Sequence, residues 1–277
     1  MIDKRKAREK KKALIRQLEG LDSLVVAFSG GVDSSFLLAV AHQVLGEKVL
    51  AGTASSKTYP LTEQEEAVEF TRKRGIPHVV FPSDECSLTQ FRFNSPDRCY
   101  HCKKSLSGEL RTVADKKGIR HIAHAANLDD LGDYRPGLRA ASEMGIIAPL
   151  VDAKLTKEEI RFLSKEMGLP TWDKPAMACL ASRFPYGESI TAEKLKMVEE
   201  AEAILSEEGF RQCRVRYHGS VARIEVEPSE LQRIMQEPLR QRIAEKLRRI
   251  GFLHITVDLE GYISGSLNRA LEPLKES

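Results

Sequence analysis

The chain has no apolar run long enough to cross a bilayer and no secretory signal pattern, so neither a membrane-spanning nor an exported protein is expected. Its cysteines number only five, an odd count in 277 residues, which is not a disulfide framework. A reducing cytoplasm is the compartment that fits. The net charge of +3 is too small by itself to argue for nucleic acid, although the charge is uneven. Lys4 to Lys12 reads KRKAREKKK and leads into Leu14, Ile15 and Leu18. That run is either a helix with one charged face or an arm that contacts a polyanion such as RNA. Internal repeats and low-complexity tracts are absent. A hydrophobic share of 42% with 30% charged residues describes a soluble globular chain, long enough for one large domain or two modest ones.

What is present is concentrated in Leu24 to Ser35, LVVAFSGGVDSS. Leu24 to Phe28 has the length and branching of a buried parallel strand. After Ser29-Gly30-Gly31 an apolar spacing at Phe36, Leu37, Val40, Ala41, Val44 and Leu45 marks a helix. The glycines therefore occupy a strand-to-helix turn, where backbone amides and the helix dipole favour an anion. The turn lacks the lysine of a Walker-type loop and is not the dinucleotide fingerprint. It resembles the PP-loop of the ATP pyrophosphatase superfamily. The resemblance implies cleavage of ATP between its α- and β-phosphates, with Ser29, Gly30, Gly31 and Ser34 cradling the pyrophosphate and Asp33 helping to hold Mg²⁺, a cation that prefers oxygen ligands.

Further along, Val49 to Ala54 and His78 to Pro82 read as second and third strands. Between them a capping box at Thr62 and Glu65 predicts a helix that runs to about Arg74. Ile119 to Ala125 supplies a fourth strand and Ile146 to Val151 a fifth, and Thr156 with Glu159 opens another capped helix. This alternation predicts an α/β fold with a doubly wound parallel sheet, whose ligands bind beyond the strand C-termini. From about Ser189 the order changes to αββαβ: a helix over Ala192 to Glu208, alternating strands at Arg214 to Tyr217 and Val221 to Val226, a helix from Leu231 to Ile250 and a strand at His254 to Leu259. The expected division is 1–188 for the nucleotide domain and 189–277 for a small α+β domain with an antiparallel sheet.

Cys99 and Cys102 form a C-x-x-C, and Cys179 lies in the irregular stretch from Lys174 through Met177 to Gly187. No second C-x-x-C completes a four-thiolate zinc site, and His101 is awkwardly placed to serve as a ligand. Cys86 and Cys213 have no such setting and are expected to be small buried hydrophobes. Three thiolates at the mouth of an ATP site would hold a [4Fe-4S] cluster by three irons, leaving the fourth open to sulfide. Alternatively, Cys179 is the sole nucleophile or sulfur donor and the C-x-x-C recycles it. A purely structural role for all three is the remaining reading.

Together with the loop, Asp130-Leu-Gly-Asp-Tyr-Arg-Pro-Gly137 and Cys179-Leu-Ala-Ser-Arg-Phe-Pro-Tyr-Gly187 make the chain resemble the LarE family of ATP-dependent sulfur transferases, over nearly its whole length. Arg214-Val-Arg216-Tyr-His218 and Ala222-Arg-Ile-Glu225 look like that family's C-terminal domain. The resemblance implies adenylation of a carboxylate of pyridinium-3,5-biscarboxylic acid mononucleotide, then replacement of AMP by sulfur to give a thiocarboxylate. Cys179 stands where one branch of the family sacrifices a cysteine sulfur. The added Cys99 and Cys102 are similar to the three-cysteine branch, in which a [4Fe-4S] cluster carries sulfur delivered as sulfide or by a donor protein. The same resemblance implies that Lys103, Ser182 and Arg183 lie near the reacting phosphate and carboxylate, that Arg214 and Arg216 contact substrate phosphate, and that the chain assembles as a hexamer. Arg214 and Arg216 read otherwise as the wet face of a strand. A [4Fe-4S]-dependent tRNA thiolase also joins a PP-loop to three cysteines and would use the basic run, but no RNA-binding domain is evident and nucleic acid is not the expected partner. A non-catalytic nucleotide sensor is a further reading, and amidation of a carboxylate would leave the cysteines without a task.

Overall fold

The computed structural model describes residues 2–132, 136–176, 178–263 and 265–271. In chain order the elements are α1 (Lys4–Glu19), β1 (Leu24–Ala27), α2 (Val32–Leu45), β2 (Val49–Ser55), α3 (Leu61–Arg74), β3 (His78–Pro82), α4 (Thr89–Arg92), α5 (Arg98–Lys116), β4 (His121–Ala123), α6 (Pro136–Glu143), α7 (Pro149–Asp152), α8 (Lys157–Glu166), α9 (Ala192–Glu207), β5 (Cys213–His218), β6 (Val221–Val226), α10 (Leu231–Ile234), α11 (Leu239–Ile250) and β7 (His254–Val257). Short 3-10 turns lie between some of them. The chain packs as two compact units. One is Met1–Glu85 with Cys99–Met177, and the other is Cys86–Arg98 with Ala178–Ser277.

The first unit is a three-layer α/β fold around a parallel sheet of order β3-β2-β1-β4. Alternate residues of β1 enter opposite layers, as the two-residue period of a strand requires. Leu24 and Val26 pack with Leu14 and Leu18 of α1, Phe36 and Val40 of α2, and Ile160 and Leu163 of α8. Val25 packs on the other face with Leu50, Phe81, Ile122 and the α5 residues Leu110 and Ala114. β1 lies between β2 and β4, and the strand order reverses at the β1–β4 pair. That switch point is where open α/β sheets leave a crevice for ligands.

Two local expectations differ from the structure. The stretch read as a fifth strand makes only an isolated parallel bridge, Ala123 to Ile147. Pro149 then occupies the first turn of α7, so the ladder stops there. Helix α3 starts at Leu61 behind Pro60 with no side-chain cap, leaving Thr62 inside the first turn. The box at Thr156 and Glu159 forms completely.

In the second unit β5 and β6 pair antiparallel, whereas β7 joins β6 in parallel. The sheet expected to be antiparallel is therefore mixed. The connection from β6 to β7 runs through α10 and α11, which is the crossover a parallel pair needs. Pro238 precedes α11 and separates it from α10, so the single helix expected over Leu231 to Ile250 is two. The core gathers Leu205 from α9, Val215, Ile224, Leu247 and Phe252. No helix among the described residues is long and apolar enough to cross a membrane.

Candidate active site

The turn after β1 is held by its own hydroxyls. The Ser29 amide donates to Ser34 Oγ at 3.4 Å, the two hydroxyl oxygens lie 3.1 Å apart, and Ser34 Oγ donates to the Gly31 carbonyl at 3.2 Å. Gly30 has φ +70°, and a Cβ there would come within 3.3 Å of Ala67 Cβ on α3. A side chain would be both strained and crowded at that position. Gly31 is the N-cap of α2 and makes no side-chain cap, so the first-turn amides are offered to a ligand.

Asp33, on the first turn of α2, divides its two oxygens. Oδ2 accepts from Lys157 Nζ at 2.5 Å and from Asn127 Nδ2 at 3.5 Å. Oδ1 is buried with no hydrogen-bond partner. Burial pushes the carboxyl pKa up against the pull of Lys157, and the charge of Asp130 pushes the same way. An unpartnered buried carboxylate oxygen is costly unless a ligand takes it. It suits Mg²⁺, which combines one or two carboxylates with phosphate oxygens and water. Among the described residues no group of three His, Cys, Asp or Glu side chains forms a self-sufficient metal site.

Asn127 reaches Asp33 because the loop after β4 is internally tied. Its amide donates to Asp130 Oδ2 at 2.9 Å, its side-chain oxygen accepts from the Asp129 amide at 2.9 Å, and Asp129 Oδ2 accepts from the Lys157 amide at 2.8 Å. Asp133, Tyr134 and Arg135 of the Asp130–Gly137 motif, and Met177, lie outside the described residues.

Cys99 and Cys102 lie three residues apart on the first turn of α5, hence on one face of the helix. Cys99 is exposed and Cys102 half-buried. Helix α6 approaches this turn closely at Gly137, where a Cβ would fall 3.4 Å from the Cys99 carbonyl and 3.6 Å from Lys103 Cβ. Tyr100 braces the contact, donating to Glu143 at 2.5 Å with the Arg139 guanidinium 4.6 Å from its ring centre. Burial and, secondarily, the Lys103 ammonium push His124 down to about 4. His124 follows β4 and is neutral near pH 7, with Nδ1 accepting from the Ala126 amide at 3.3 Å.

The second unit holds the other predicted residues. Cys179, half-buried, precedes the short turn Leu180–Arg183, and its carbonyl accepts from the Ser182 amide at 2.9 Å. Arg183 is only 1% exposed. Its Nε and one terminal nitrogen each meet a Glu202 oxygen at 2.8 Å. The other terminal nitrogen donates to the Ala178 and Cys179 carbonyls at 2.7 and 3.2 Å and to Ser182 Oγ at 2.9 Å.

Arg214 and Arg216 are buried, which excludes the wet-face reading. Arg216 forms a two-pronged pair with Glu225 at 2.9 and 2.8 Å and donates to the Ser182 carbonyl at 2.7 Å. Arg214 donates to the Cys213 carbonyl and lies over the Tyr262 ring. A small cleft is lined by Arg183, Pro185, Arg216, His218, Arg223 and Leu267. Cys213 is buried, its thiol pushed up to about 12 by burial and by Glu202, so it stays protonated. Cys86 is only partly buried.

A Lactiplantibacillus plantarum protein named pyridinium-3,5-bisthiocarboxylic acid mononucleotide synthase is 35% identical to this chain, over 95% of each. The chain belongs to the LarE family. Also similar is an uncharacterised Synechocystis protein, 42% identical over 95% of this chain and 98% of its own. A component of the glutamine-hydrolyzing GMP synthase of Pyrococcus furiosus is 27% identical over 72% of this chain and 68% of its own, which places the LarE fold with the PP-loop enzymes. No family model matches the chain.

Lys157, Asn127, His124 and Lys174 in the first unit and Glu202 in the second do not stand out in the sequence. None stands in a motif, and Lys157 and Asn127 meet Asp33 from 124 and 94 residues away. The only signal was position: Asn127 follows a predicted strand, and Lys157 follows a predicted N-cap.

Proposed function

We propose that this enzyme is an ATP-dependent sulfur transferase that acts on pyridinium-3,5-biscarboxylic acid mononucleotide in the synthesis of a nickel-pincer cofactor. The observation that carries the activation half is the loop after β1, with its serine pair, uncapped helix N-terminus and unpartnered Asp33 Oδ1. The acceptor comes from the activity for which the L. plantarum relative is named.

A carboxylate oxygen of the substrate attacks the α-phosphorus of ATP, and pyrophosphate leaves. The resulting acyl adenylate has AMP as its leaving group where the carboxylate offered only a poor one. Sulfur then attacks the acyl carbon, the C–S bond forms, the bond to AMP breaks, and a thiocarboxylate remains. The chain's own groups supply the setting. Ser29, Gly30, Gly31 and Ser34 bind the pyrophosphate portion, Asp33 holds Mg²⁺, and Lys103 offsets charge on the reacting groups. Arg183 holds the Cys179 carbonyl, and the cleft at Arg216 suits a substrate phosphate, for which a guanidinium fork is apt.

The same proposal includes a [4Fe-4S] cluster with Cys99, Cys102 and Cys179 as ligands, which when bound supplies an iron-held sulfur for transfer. Thiolates are the donor set such clusters take, and two of them share one helical face. Cytoplasmic location, hexameric assembly and an oligomeric role for residues 189–277 belong to the proposal as well. The basic run folds as α1, with Arg8 and Lys10 paired to Glu166 and Glu159.

The experiment is anaerobic incubation of purified protein with ATP, Mg²⁺ and the pyridinium substrate, scored for AMP and thiocarboxylate. Iron and sulfide counts on wild type and on Cys99→Ala, Cys102→Ala and Cys179→Ala are made in parallel. Substrate-dependent AMP with thiocarboxylate supports the reading. Salt-sensitive tRNA binding with no pyridinium activity refutes it. A wild type that holds no iron, or variants that all hold it normally, removes the cluster alone.

A further inference from the structure

The Ser29-Gly30-Gly31 turn has no lysine of its own, yet the fold brings one to it. Lys174, 144 residues further on, donates from Nζ to the Gly30 carbonyl at 3.1 Å. It also donates to Glu66 Oε2 on α3 at 2.6 Å. The lysine side chain is 15% exposed, whereas Glu66 is 61% exposed. An ammonium carries three donors. Gly30 and Glu66 take two of them.

The backbone that carries Lys174 is itself fastened down. Arg161 of α8 donates one terminal nitrogen to the Trp172 carbonyl and the other to the Lys174 carbonyl, both at 2.8 Å. The Lys174 amide closes a turn onto the Thr171 carbonyl at 3.1 Å. Lys165 lies 4.2 Å from the centre of the Trp172 ring. A cation with a fixed base and a well-screened stem therefore lies at the loop that would take the pyrophosphate portion of a nucleotide.

We infer that Lys174 is a phosphate-binding residue, supplying from outside the loop the lysine that the loop lacks, and that Glu66 holds it in place until a polyphosphate arrives. The inference rests on reading the loop as the ATP site. Because Glu66 is largely in water, its hold on the ammonium is weak. A polyphosphate seated on the loop amides presents more negative charge to the same ammonium and outcompetes it.

The test is calorimetric titration of the full-length protein with ATP, inorganic pyrophosphate and AMP, each with Mg²⁺. Loss of a charge-assisted hydrogen bond corresponds to about ten- to hundredfold in affinity. Lys174→Met should weaken ATP and pyrophosphate by at least about tenfold while changing AMP less than about twofold, and Lys174→Arg should restore most of the loss. Glu66→Gln, which releases the ammonium, should tighten pyrophosphate. If Lys174→Met weakens AMP as much as ATP, or if Glu66→Gln weakens pyrophosphate, the pair is a brace for the loop and the inference is overturned. A wild type that binds AMP, ATP and pyrophosphate not at all overturns the ATP site itself, and this inference with it.

Discussion

Replacing Glu202 with Gln tests the buried charge network around Cys179. Arg183 is almost wholly buried, and Glu202 is the carboxylate that meets it, through two oxygens at 2.8 Å. Glu202 also accepts the Val215 amide at 3.0 Å through the oxygen that faces Arg183 Nε. An amide in place of the carboxylate has one acceptor oxygen and one donor nitrogen. Whichever way it turns, a donor confronts either the guanidinium or a neighbouring donor, and the positive charge loses its compensation. Breaking one side of a buried ion pair costs about 3–5 kcal/mol. The isosteric Gln should fall near the low end, about 3 kcal/mol, because no cavity is made. Urea unfolding followed by far-UV circular dichroism reads the change. The double variant Arg183→Met with Glu202→Leu should recover part of the loss, since a buried pair can be replaced by apolar residues at little cost while the Val215 amide is left without its acceptor. A Glu202→Gln variant that loses less than about 1 kcal/mol, with an unchanged denaturant slope, would refute the account of Arg183 as a buried charge held by Glu202.

Two further outcomes follow from perturbed titrations. His124 is held near 4 in the folded chain against its ordinary 6.5, so between those values the unfolded chain binds a proton the folded one refuses. Stability is then lost as pH falls from about 6.5 towards 4, by about 3 kcal/mol in all, and His124→Asn should flatten that part of a urea-midpoint profile; an unchanged slope contradicts the burial of a neutral imidazole. Burial raises the Asp33 carboxyl above its ordinary value, so the folded chain keeps its proton to higher pH than the unfolded one and stability falls as pH rises across that interval. At pH 7 Asp33→Asn should leave the ligand-free protein as stable as wild type or more so, while abolishing the thermal shift produced by Mg²⁺-ATP. A marked loss of ligand-free stability would show that the Lys157 pair outweighs desolvation.

The first βα unit was legible because everything that makes it is local. A short branched strand, a Gly-Gly turn and a 3.6-residue apolar spacing lie within 22 residues of one another, Leu24 to Leu45. The Thr156 box was legible for the same reason. Where local signals competed, tertiary context decided. Ile146 to Val151 is apolar enough for a strand, but Pro149 removes a ladder donor and only one bridge forms. Nothing in an alternating strand states whether its neighbour runs parallel, so the direction of β7 was beyond reach.

The site divides along the same line. Ser29, Gly30, Gly31, Asp33 and Ser34 are neighbours in sequence, so their shared turn follows from the chain itself. Which groups complete that turn does not. Lys157, Asn127, Glu66 and Lys174 reach it only through packing of α3, α8 and the loop after β4. Arg214 and Arg216 make the point from the other side. Their i, i+2 spacing puts both on one face of β5, but only the tertiary structure shows that face to be buried against Glu225 and Tyr262 rather than wet. Local order sets a strand's period and a loop's backbone. Burial, and with it the protonation and pairing of each charge, is a property of what packs on top.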